Sequence, residues 1–162
     1  MRPEVFEVAA PGRLGWMARP RGGDWLDDEM AGLRGLGVDT LVCLLTRPEP
    51  AVLELEGERE AAHRAGLEPR WLPVVDRSVP AASALRAEAD VPAERVEAGR
   101  FVVTHCRLGI GRSAMLAAVL VRLGEAPHAV WGRLERARGR PVPDTGEQYE
   151  LVARLGRRGA AP

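Results

Sequence analysis

Two stretches of the chain are apolar at every position rather than at every second one. Leu41-Val42-Cys43-Leu44-Leu45 and Phe101-Val102-Val103 leave no face for water. That is the pattern of strands covered on both sides in a mostly parallel sheet. The first candidate strand spans 38–45 and the second 101–105. Two shorter segments, 5–8 and 14–18, flank Pro11-Gly12 and read as strands joined by a turn. Residues 67–75 look extended, interrupted by Pro69 and Pro73.

Between these segments the apolar spacing changes to that of helices. Leu26, Met30 and Leu33 follow Asp24, a plausible N-cap, and Gly37 supplies a stop. Arg47-Pro48-Glu49-Pro50 reads as a loop, and 52–65 as a charged surface helix ended by Gly66. The segment 81–98 is helical in composition, but Pro92 predicts a break or two shorter helices. Residues 113–123 form a strongly apolar helix ended by Gly124. Pro127 suits the first position of a helix running to about Arg138, and a last helix begins near Thr145. Strands alternating with helices predict an α/β fold with a mostly parallel central sheet of about 4–5 strands flanked by helices. One domain over 1–162 accounts for the length. Trp16, Trp25, Trp71 and Trp131 read as core or partly buried packing.

Charge narrows the function classes. The 23 basic and 23 acidic residues balance, so nothing draws the chain generally to nucleic acid or to an anionic membrane. Every basic residue is arginine, with no lysine, so any anion site must use guanidinium groups, backbone amides or helix ends. No apolar run reaches membrane-spanning length, and the acidic N-terminus does not read as a signal peptide. The expected compartment is the cytoplasm. Two cysteines, Cys43 and Cys106, make no disulfide framework, and no CxxC pair points to zinc. Neither a metal nor a cofactor is expected. Cys43, inside an apolar strand, is ordinary core or a protective disulfide partner for an oxidised Cys106.

The chemistry gathers at Val103-Thr104-His105-Cys106-Arg107-Leu108-Gly109-Ile110-Gly111-Arg112-Ser113. A strand, a glycine-containing loop and a helix start in succession make an anion cradle, with amides turned inward and the helix dipole aimed at the same point. Gly109 and Gly111 let the backbone approach a phosphate closely. Cys106 lies at the floor of that cradle, where the same groups favour a thiolate able to attack phosphorus. Arg112 can reach back to hold two oxygens of the transferring phosphoryl group. Ser113 can hydrogen-bond the sulfur as it leaves. His105 is expected to hold the loop rather than act as the acid, its side chain pointing away from the cradle.

His105-Cys106-x-x-Gly109-x-Gly111-Arg112-Ser113 resembles the signature of the cysteine-dependent protein tyrosine and dual-specificity phosphatases. The resemblance implies a phosphatase domain acting through a cysteinyl-phosphate on this phosphate-binding loop (P-loop), on phosphotyrosine and on phosphoserine or phosphothreonine of proteins. A leaving alkoxide needs a proton, and Leu72-Pro73-Val74-Val75-Asp76-Arg77-Ser78 resembles the acid loop of small dual-specificity members. Asp76 stands thirty positions ahead of Cys106, a similar separation, although Val75 replaces a residue that is often proline. The alternative for Asp76 is a turn residue, and Asp144 is a rival acid that more naturally caps the last helix. Gln148 either positions the attacking water or completes a capping box with Thr145. Arg77 and Arg107 flank the pocket as candidate phosphate contacts, and Arg47 and Glu49 occupy a loop that would rim it. Leu108 departs from the small residue usual in the family.

The absence of an aromatic recognition loop near Thr46-Arg47-Pro48-Glu49, with the short chain, implies a shallow dual-specificity-like pocket. Ile110 stands where lipid phosphatases carry a basic residue, which leans against phosphoinositides. A rhodanese-like sulfurtransferase also uses a cysteine loop but leaves Asp76 and Ser113 without purpose. A phosphate-binding scaffold without turnover predicts loss of cysteine, arginine or acid, and all are present. An RNA triphosphatase would need a basic-aromatic groove, which the sequence does not offer. The expected partner is a phosphorylated protein or a small phosphoester.

Overall fold

The computed structural model describes residues 2–8, 12–73, 82–107, 113–139, 141–143 and 146–159. Its strands are β1 (Phe6–Val8), β2 (Arg13–Met17), β3 (Thr40–Cys43), β4 (Glu68–Trp71) and β5 (Phe101–His105). They form one sheet in the order β1-β2-β5-β3-β4. β1 runs antiparallel to β2, and the other three pairings are parallel. The α/β fold with a five-stranded, mostly parallel sheet is therefore as expected. The helices are α1 (Leu26–Gly35), α2 (Glu49–Val52), α3 (Glu58–Arg64), α4 (Ala82–Glu97), α5 (Ser113–Arg122), α6 (Pro127–Arg138) and α7 (Gly146–Gly159). Among the described residues, no helix is long and apolar enough to cross a membrane.

The two fully apolar strands are the two innermost on their side of the sheet, and their side chains alternate between two cores. Val42, Leu44 and Val102 pack with Leu85, Leu116, Leu120, Leu134 and Leu151 of α4–α7. Leu41, Cys43, Leu45, Phe101 and Val103 pack with Met30 and Leu33 of α1 and Ala61 and Ala62 of α3. Each fully buried leucine of this kind contributes about 1.5–3 kcal/mol. Asp39 locks the register ahead of β3. Its carboxylate accepts the Phe101 amide at 3.0 Å and the Arg34 guanidinium at 2.9 Å. The Phe101 amide and Arg34 together hold that carboxyl below its usual range.

Several local expectations need correction. Asp24 does not cap α1 with its side chain: it lies within a 3-10 turn over Gly23–Trp25, from which α1 continues. The loop at 47–50 contains the start of the one-turn helix α2. The helix expected from 52 begins only at Glu58, because the chain first turns at Glu54 (φ 57°) and Gly57. Its expected stop holds, with Gly66 at φ +82°, a left-handed conformation that glycine adopts without steric cost. Pro92 does not break α4, which runs uninterrupted over sixteen residues. Leu85, Ala89, Ala93 and Val96 form a buried stripe along it, and that packing outweighs the hydrogen bond lost at proline. Trp16 and Trp131 are buried, whereas Trp25 and Trp71 are 56% and 42% exposed.

Candidate active site

The alternation of β5 decides where the site's side chains point. Phe101 and Val103 face the α1–α3 side, and His105 follows them at the same spacing. Cys106, one residue beyond the strand, belongs to the α4–α7 core and is 5% exposed. His105 and Cys106 are thus consecutive in sequence and committed to opposite faces of the sheet. The strand end carrying them is fixed on both sides: Leu44 N–H donates to His105 O at 3.0 Å, and Arg19 N–H to Arg107 O at 3.5 Å.

His105 is fully buried, and its Nε2 pairs with Glu58 Oε1 at 2.7 Å. Burial alone would push the imidazole down. The Glu58 carboxylate and hydrogen bonding with Cys43 and Glu58 overcome that and raise it to about 10. At neutral pH an imidazolium therefore sits immediately before Cys106 in the chain. Glu58 opens α3, where the helix dipole also favours its negative charge. Its partner lies 47 residues away in sequence, so the charged pattern of α3 carries no sign that this glutamate is buried.

Of the other expected site residues, Arg107 is exposed at a bend just after Cys106. Ser113 opens α5. Gln148 is buried on α7 at 1% exposure. Asp76, Arg77, Leu108, Gly109, Ile110, Gly111 and Arg112, and the side chain of Ser113, lie outside the described residues, as do Asp144 and Thr145. The loop after β3 is tied locally: Glu49 accepts Thr46 N–H at 2.6 Å and its hydroxyl at 2.9 Å. Arg47 lies over the Trp71 ring, 5.4 Å from its centroid. Trp71 Nε1 donates to Leu45 O at 2.6 Å. Beside this loop a cavity of about 640 Å³ is lined by Cys43, Arg47, Glu58, Arg59, Arg70 and Trp71 among others.

No curated protein matches the sequence. Kinase associated phosphatase, in a crystal structure with serine substituted for its catalytic-site cysteine, superposes with a TM-score of 0.86 at 18% identity over 100% of this chain and 98% of that one. The active form of Tk-PTP gives 0.75 at 25% identity over 98% and 99%. Human DUSP28 gives 0.71 at 19% identity over 96% of each chain. The first and last of these are likenesses of fold. The profile of the Tc-R-P family, described as a polymorphic toxin system DSP-PTPase phosphatase, matches residues 15–125, from within β2 to just beyond α5. The chain belongs to that family of DSP-PTPase phosphatases.

Proposed function

We propose that the protein, as a single phosphatase domain over 1–162 acting in the cytoplasm, hydrolyses phosphomonoesters through a cysteinyl-phosphate on Cys106. Its substrates are phosphotyrosine and, through a shallow pocket, phosphoserine or phosphothreonine on proteins. The supporting observation is the position of Cys106: it directly follows the central strand β5, with α5 opening at Ser113.

In this reading the Cys106 thiolate attacks phosphorus and the ester oxygen departs with a proton from Asp76. Arg112 and the amides of 107–112 hold the three equatorial oxygens as charge spreads onto them. Arg107, Leu108, Gly109, Ile110, Gly111 and Arg77 shape the phosphate pocket. Asp76, now a carboxylate, takes a proton from water that attacks the thiophosphate, and Ser113 hydrogen-bonds the departing sulfur. Gln148 serves the attacking water or the start of α7. His105, paired with Glu58, fixes the strand end behind the nucleophile.

The test is hydrolysis of an aryl phosphate by wild type and Cys106→Ser. A serine hydroxyl does not ionise near neutral pH, so the variant is expected to be inactive although folded. Equal rates for the two proteins would end this reading.

A further inference from the structure

We propose that Cys43, Glu58 and His105 form a buried site for a soft divalent transition metal of the zinc class, behind the loop that carries Cys106. The three residues come from separate elements. Cys43 ends β3 and His105 ends β5, and the two are direct register partners across the parallel pair. Glu58 reaches them from the first turn of α3. One ligand atom from each residue lies within 4.8 Å of the others, and all three residues are buried.

A thiolate, an imidazole and a carboxylate make three protein ligands of the kinds zinc prefers, and the roughly 3.3–3.8 Å between ligands of a tetrahedral ion falls inside the 4.8 Å that contains all three ligand atoms here. The 2.7 Å contact between His105 Nε2 and Glu58 Oε1 would open by less than about 1 Å to admit it. Two atoms of the cluster also lack hydrogen-bond partners: Glu58 Oε2 and His105 Nδ1 are buried and unsatisfied. An unsatisfied carboxylate oxygen is costly without an ion and useful with one. Cys43 and Glu58 also line the 640 Å³ cavity beside β4, which is the side from which an ion would enter. Arg47, Arg59 and Arg70 also line it, so the ligands themselves must supply the affinity rather than long-range attraction.

Binding balances simply. The metal displaces one proton from His105 and one from Cys43 Sγ, and both go to solvent. The proton held between His105 and Glu58 is thereby exchanged for a dication at the same place.

The chain's two cysteines make the test clean, and it needs no enzymatic activity. Cobalt(II) is titrated into the full-length Cys106→Ser protein, whose remaining cysteine is Cys43, with folding checked by circular dichroism. The expected result is a thiolate-to-cobalt charge-transfer band saturating at one equivalent. Adding Glu58→Gln should weaken binding by at least the roughly 10–100-fold that even outer-shell partners are worth. In wild type, zinc should also protect Cys43 from alkylation, read at each cysteine by mass spectrometry. That second measurement stands if the serine variant does not fold. A band present in Cys43→Ser but absent from Cys106→Ser would put the metal on the nucleophile and overturn the proposal. So would the absence of a band in both, or zinc protection confined to Cys106.

Discussion

Glu58 and His105 meet at 2.7 Å inside the protein, joining the first turn of α3 to the last residue of β5. This contact between a helix and the central strand favours the protonated form of His105 in the metal-free protein, and it has a measurable consequence for stability.

An unfolded histidine releases its proton near 6.5, whereas His105 in the folded protein holds it to about 10. Between those values the folded state binds the extra proton, so stability falls as pH rises. The contribution is fully present below about 6.5 and is lost as pH passes through about 10. Urea denaturation of chelator-treated protein across this window should show the midpoint declining. Glu58→Gln should be less stable at pH 6 and should show a smaller decline. A wild-type midpoint that stays level or rises from pH 6.5 to 10 would contradict the assignment.

Asp76 is assigned to protonate the leaving oxygen, so its importance should depend on what leaves. With an alkyl phosphate, Asp76→Ala should lower kcat by about 10²–10⁴-fold. With an aryl phosphate bearing a good leaving group the loss should be much smaller, because the phenolate departs without help. Steady-state rates over a series of leaving groups check this. Equal losses across the series would return Asp76 to a turn residue.

Pro92 lies within an unbroken helix whose buried stripe includes Leu85, Ala89, Ala93 and Val96. Replacing it with alanine restores a backbone donor and removes steric pressure, against some lost packing, since Pro92 is itself buried. Pro92→Ala should raise stability by about 1–2 kcal/mol, seen as a higher urea midpoint. Loss of stability would mean that the proline ring's own packing dominates.

The positions of β3 and β5 were legible because continuous apolar residues on both faces admit few other structures in a chain of this kind. Gly37, Gly66 and Gly124 marked helix ends correctly, since a positive φ is a local property of the backbone. What escaped the sequence was decided at long range. Glu58 resembled any acidic residue on a charged helix until β5 brought His105 beneath it. Pro92 carried a correct local penalty that the packing of α4 outweighed. Trp71 read as core or partly buried, and only the fold shows that it is 42% exposed, held by Leu45 O and covered by Arg47. The candidate site shows the same division. Apart from Asp76, Arg77 and Gln148, its residue types and spacing lie in one continuous segment, 105–113, and can be read locally. The buried pair behind that segment requires the fold.

The most direct measurement is a rapid acid quench of the enzyme during turnover of a phosphate ester, followed by peptide mass spectrometry. The mass of one phosphoryl group should appear on the peptide containing Cys106, localised to its sulfur, and should be absent in Cys106→Ser. Steady turnover with phosphate trapped on another residue, or turnover undiminished in Cys106→Ser, would contradict the central role of that thiolate.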